Sequence, residues 1–186
     1  HQPMPGYETI DYFAADRDID EDLEVIREWQ PSEEIRSGSY TVNDFNFTTP
    51  KGDLSNVRAL PRQHDHADHE IYEWLGGYPS PGDGEHYARV RLEEVQALAQ
   101  RSAGHATVRG MAPGYSFKMR NSPRGEDNRE HLIVAVSYAL REGGYATGAE
   151  SGGYDFNFVV QPTTLPFRAP RQTPLPRTGG PQTATV

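Results

Sequence analysis

Three stretches of this chain alternate apolar and polar residues with a period of two: 115–120 (Tyr115, Phe117, Met119), 131–141 (Leu132, Val134, Val136, Tyr138, Leu140) and 154–161 (Phe156, Phe158, Val160). That period puts every second side chain on one face of an extended strand, so each stretch needs a partner layer to cover it. Turn-rich segments at 121–128 and 143–153 separate them, as in antiparallel β architectures. Further strands are predicted at 24–29, 70–75 and 105–109. Residues 39–47 conflict with a regular strand, because Tyr40 and Val42 have one parity and Phe45 and Phe47 the other; a bulge or bend at Asn43–Asp44 would restore the register. Residues 48–68, with Pro50, Gly52 and Pro61, have no sustained periodicity and read as a long connection.

One helix is predicted, over residues 84–102. Asp83 is placed to cap it, Ala88, Leu92, Val95 and Ala99, with Leu98 beside them, form its apolar stripe, and Gly104 is the expected stop. Arg89, Arg91, Glu93, Glu94 and Gln96 then face outward, with Glu93 and Glu94 as solubilising charge. The sum is a mainly β chain with one prominent helix (α+β): an antiparallel β-barrel or sandwich with the helix packed on it, across one opening. Prolines at 162, 166, 170, 174, 176 and 181 mark the tail as an extended strap. No two of them are three apart, so it is not an SH3-type ligand. The expected division is an incoming segment at 1–22, a β domain at 23–161 and a Pro-rich linker at 162–186.

Composition narrows the function. A chain of 186 residues buries roughly 70% of its unfolded surface and needs no covalent staple. It has no cysteine, hence no disulfide, thiolate metal site or thiol nucleophile. Its net charge of −9, without a basic stripe, argues against nucleic acid as a partner. The longest strongly apolar run, 132–136, is far shorter than the ~18 residues of a membrane span, and the first residues lack the basic and apolar regions of a signal peptide.

Motifs for chemistry are sparse, and no cofactor motif is present. Gln63-His64-Asp65-His66-Ala67-Asp68-His69-Glu70 is the sharpest cluster, with His64, His66 and His69 as candidate zinc or nickel ligands, although structural zinc sites draw ligands from two separated positions. Asp16-x-Asp18-x-Asp20 opens like a calcium loop but has Glu21 where glycine belongs and Arg27 where the closing glutamate belongs. Gly114-Tyr115-Ser116-Phe117-Lys118 fails as a nucleophile elbow because Lys118 replaces the final glycine. A carboxylate pair for glycan hydrolysis depends on distance in space, which sequence does not give.

An ordered series of short motifs resembles the second half of the phage-hub-like domain of VgrG proteins, the spike proteins of type VI secretion. It comprises Pro5-Gly6-Tyr7-Glu8-Thr9-Ile10, Tyr72-Glu73-Trp74-Leu75-Gly76-Gly77-Tyr78, Gly84-x-x-Tyr87-Ala88-Arg89-x-Arg91-Leu92-Glu93-Glu94 and Gly114-x-x-Phe117. Ser122-Pro123-Arg124, Asn128-Arg129-Glu130-His131-Leu132-Ile133-Val134 and Gly180-Pro181-Gln182-Thr183-Ala184 follow in the same order. Leu75, where that family usually has proline, and Tyr138, where it often has histidine, depart from the pattern, both within predicted strands. The resemblance implies a phage-hub-type barrel without catalytic residues or cofactor. It implies a homotrimer in the full-length protein that docks on the Hcp tube hexamer, with effector or adaptor proteins as further partners. It also implies a fragment leading towards an OB-fold and needle, assembled in the bacterial cytoplasm and secreted by the type VI system without a signal peptide. Tyr72, Trp74, Tyr78, Tyr87 and Arg89 are the expected assembly contacts. The alternatives are a small β-fold glycan hydrolase and a His-cluster metal-binding module.

Overall fold

The computed structural model describes residues 1–14, 16, 23–142, 153–174, 176, 180 and 183. Its spine is the antiparallel pair β9 (Glu130–Arg141) and β10 (Gly153–Pro162), in register from Gly153↔Arg141 to Pro162↔His131. The register slips once: Val159 pairs with Ala135, Val160 with Ile133, and Val134 is left over as a bulge. A one-residue slip exchanges the faces of a strand. Val136 therefore packs on the core beyond the slip, and Ile133 and His131 take over before it. The even-numbered stripe expected from Leu132 to Leu140 is thus broken. Leu132 is buried, but it pairs with Ser116 and Gln161 on the opposite face.

The sheet extends from this spine in both directions. On one side β7 (Gln100–Ala106) and then β3 (Ile26–Glu33) add antiparallel; on the other, β8 (Tyr115–Arg120) adds antiparallel, and β1 (Gln2–Pro3) and β2 (Thr9–Asp11) pair with it in parallel. Tyr12 bridges to Ile26, and the Phe13 amide donates to the Ile26 carbonyl at 2.8 Å. These contacts draw the two ends of the seven strands towards each other, so the sheet curls into a half-barrel. Met4, Ile10, Ile26, Val108, Phe117, Met119, Ile133 and Phe158 fill its interior. Strand β3 runs to Glu33, past the predicted end at Trp29, and passes through Pro31, a residue that an edge strand tolerates. Gly104 is a strand residue rather than a helix stop: a Cβ there would lie 2.4 Å from Phe158 Cζ and 2.6 Å from the Glu28 carbonyl oxygen.

A second, three-stranded sheet has β4 (Ser39–Asn43) at its centre, antiparallel to β5 (Asn56–Ala59) and parallel to β6 (Glu70–Trp74). The helix α1 (Pro81–Gln96) packs on β4 and β5. It is seated on this smaller sheet, not across the opening of a barrel. It starts three residues before the predicted boundary because Ser80 caps it and Pro81 opens it, positions these residues favour. It ends at Gln96, and residues 100–102, assigned to the helix by periodicity, lie in β7. Its buried stripe is Gly84, Ala88, Leu92 and Gln96. Gln96 thus faces inward, where its amide donates to the Leu60 carbonyl at 2.8 Å. Tyr40, Val42, Leu54 and Tyr78 complete this second core.

The mostly β, one-helix fold class read from the sequence holds. Leu92 is 1% exposed, and Leu92→Ala is expected to cost about 2–5 kcal/mol in denaturant unfolding. His131 is fully buried between Trp29 and Phe117. Its Nε2 donates to the Asp127 carbonyl at 2.9 Å, and burial pushes its pKa below the ordinary 6.5, a shift the Asp127 carbonyl opposes. The unfolded chain therefore binds a proton that the native chain does not, and stability is lost as pH falls below about 6.5. His131→Phe is expected to flatten the fall in melting temperature between pH 7 and pH 5 relative to the parent chain.

Candidate assembly surface

Alternation along β4 divides the small sheet into two faces. Tyr40 and Val42 face the helix, while Thr41 aligns with Val57 of β5 and Tyr72 of β6 on the other side, and Asn43 aligns with Trp74. No element of the described residues covers this second face. Val57, Tyr72 and Trp74 are 63%, 57% and 54% exposed. Thr41 lies buried between its neighbours and donates its hydroxyl to the Glu70 carboxylate. An apolar row on an open sheet face is a recognised mark of a protein contact.

Strand β4 stops at Asn43 instead of bulging and continuing, so Phe45 and Phe47 lie outside it and are exposed. The parity conflict seen in the sequence is a strand ending. Asp44 builds the turn: its carboxylate accepts from the amides of Phe45 (2.6 Å), Gly77 (2.6 Å) and Tyr78 (3.1 Å). The Phe45 amide leads the causes that hold its pKa below the ordinary carboxylate value, and desolvation opposes them. Asp44 thereby ties the end of β4 to the connection between β6 and α1. In that connection Leu75 has φ 59° and Gly77 has φ 78°. Leu75 is thus outside β6 and in a left-handed conformation that proline, fixed near −65°, cannot adopt.

The five residues singled out as contacts do not share one surface. Tyr72 and Trp74 lie together on the open face. Tyr78 is 4% exposed, and its hydroxyl sits at the Val42 carbonyl (3.0 Å) and the Leu54 carbonyl. Burial raises its pKa. It is a core residue and offers no surface to a neighbour. Tyr87 is half-buried edge-on to Tyr78 at 5.9 Å, with the Arg91 guanidinium above its ring. Arg89 is exposed on the helix, contacts His86 at 3.2 Å, and lines a cleft with Arg58, Gly82 and Glu85. The exposed Val57 was missed, since β5 lies inside the stretch read as a connection.

The other candidates are placed as follows. The rings of His66 and His69 lie 4.7 Å apart between centroids, tilted by 36°, and His64 Nδ1 lies 2.8 Å from the Asp65 carbonyl oxygen. Among the described residues no three His, Asp or Glu side chains converge to hold a metal, these included. Ser116 is buried in β8 and donates to Glu130 at 2.7 Å. Glu93 and Glu94 are not free surface charge, because each is paired with an arginine of the tail. The acidic run from Asp18 to Asp22 lies outside the described residues. No described helix is long and apolar enough to cross a membrane.

A fold of this kind, a curled β half-barrel with one helix seated on a small flanking sheet, resembles those of two solved tail proteins, one of them from a prophage. The tail protein of Neisseria meningitidis MC58 superposes with a TM-score of 0.57 at 10% identity, over 84% of this chain and 45% of that one. The 43 kDa tail protein of prophage MuSo2 from Shewanella oneidensis gives 0.53 at 9% identity, over 74% and 41%. The phage tail baseplate hub (GPD) family matches residues 1–144, and this chain belongs to that family. Its kinship there is with the VgrG spike proteins, as the ordered motifs implied. The type VI secretion system spike proteins VgrG1a and VgrG1b of Pseudomonas aeruginosa are each 34% identical to it over 100% of its length. The chain spans only 29% and 25% of those relatives.

Leu75→Gly relieves a left-handed leucine and is expected to raise stability by about 1 kcal/mol. Asp44→Ala removes three amide partners and is expected to lower it by about 1–3 kcal/mol. Both are read by urea unfolding.

Proposed function

We propose that this chain is the hub region of a type VI secretion spike, a non-catalytic scaffold that trimerises within its full-length protein and seats the spike on the Hcp tube for delivery of effectors. Its kinship with VgrG spike proteins, which runs along the whole of this chain, is the observation that carries this reading. The open face of Val57, Tyr72 and Trp74 supports it physically, since interface cores are enriched in aromatics and depleted of charge. In the assembled spike this face packs against a neighbouring subunit, with Tyr72 and Trp74 as its anchors. Arg89, on the helix, is the contact at a second surface. Residues 162–186 form a Pro-rich connection towards the needle, and the protein assembles in the cytoplasm before export by the type VI route. The pairing of Glu93 and Glu94 with tail arginines speaks against a hydrolase built on them.

The full-length protein is expected to sediment as a trimer and to bind purified Hcp hexamers in a pull-down; a monomeric full-length protein overturns the reading. Tyr72→Ala with Trp74→Ala is expected to weaken trimer association about tenfold or more. The melting of the isolated chain should shift little, because both side chains are already exposed.

A further inference from the structure

The tail reaches back across the molecule. It leaves β10 at Pro162, and the Leu165 carbonyl accepts from the buried Gln161 amide at 2.9 Å. The chain then runs without regular structure onto the helix and β6. Arg168 meets Glu93 through Nε at 2.6 Å. Arg171 makes a denser set: its backbone amide donates to Glu94 Oε1 at 2.7 Å and its Nε to Glu94 Oε2 at 3.1 Å, while Nη1 donates to Glu73 Oε1 at 2.9 Å. Its Nη2 lies 3.4 Å from the Tyr40 hydroxyl, which itself donates to Glu73 Oε2 at 2.8 Å. Tyr40 is almost fully buried, so the trough is floored by the core of the small unit. Arg91 Nε stands 3.5 Å from Glu73 as the one further cation here among the described residues.

We propose that this trough, made by Glu73, Glu93, Glu94 and Tyr40, is a docking site for an extended segment carrying two arginines three residues apart. The chain's own strap occupies it as a displaceable latch. Three features fit that role. Pro170 biases Ala169 to extended backbone, which sets the two guanidinium-bearing residues roughly 10 Å apart along the strap. The contacts to the trough are mostly charge-assisted and involve the arginine side chains rather than a β-ladder, so they are selective for arginine yet weakened by salt. The half-barrel and the small unit have separate apolar cores, and the strap passes from one to the other. A latch closed across two bodies fixes their relative orientation, and an incoming arginine pair releases it.

The test uses the whole chain and a fluorescein-labelled peptide of residues 165–173. Arg168→Ala with Arg171→Ala empties the trough, and this variant is expected to bind the peptide at least about tenfold more tightly than the parent chain, whose tethered strap competes at millimolar effective concentration. Adding Glu73→Gln, Glu93→Gln and Glu94→Gln should abolish binding. Equal binding to parent and emptied chain, or no binding to an emptied chain with an intact circular dichroism melt, overturns the proposal. Should the emptied chain not fold, trypsin cleavage of the parent after Arg168, measured relative to cleavage after Lys51, decides. A rise of about tenfold between 50 mM and 1 M salt supports the latch, and an unchanged ratio rejects it.

Discussion

The pairing of β9 with β10, and the slip within it, is the constraint on which the molecule rests. Before Val134 one set of side chains faces the half-barrel interior, and after it the other set does. His131 and Ile133 are thereby brought against Phe117 and Trp29, while Leu132 and Gln161 are sent to the outer face, where Gln161 holds the first turn of the strap. Without the slip, His131 would lie on the strap side, and the interior would lose Ile133. The strap's departure point and the half-barrel core thus have a common origin.

The small unit serves a different purpose. It spends its helix on one face of a three-stranded sheet and leaves the other face bare, with Asp44 and Tyr78 locking the turns at its end. A unit built this way is stiff at low mass: its buried hydroxyl, its capped helix and its carboxylate-bound turn fix the positions of Tyr72 and Trp74 through their strand. That stiffness would suit the proposed assembly role, since a contact presented by a rigid strand has little ordering entropy left to lose.

Much of the fold was legible in the sequence where burial is one-sided. Strand β8 has the span its alternation predicts, and β6 and β10 come within a residue or two. Legibility failed where a tertiary contact overrode the local pattern. Gln96 reads as a surface residue but satisfies the Leu60 carbonyl; residues 100–102 read as helix but pair with β3 and β10. Strands β1 and β2 are short and carry almost no periodicity, being set by pairing with β8. The candidate surface was half visible: Tyr72 and Trp74 are plain in the motif, but nothing local announces that Tyr78, directly after a pair of glycines, turns inward. The ion pairs of Glu93 and Glu94 with residues more than seventy positions away were beyond any local reading.

Pro31 has a further consequence. Strand β3 ends the curled sheet, and at Pro31 its backbone has no proton to offer a newcomer. Copies of this chain gathered at high local density therefore meet resistance to zipping edge to edge into open-ended fibrils. Growth by main-chain laddering is discouraged there, and contact through side chains is left as the easier course.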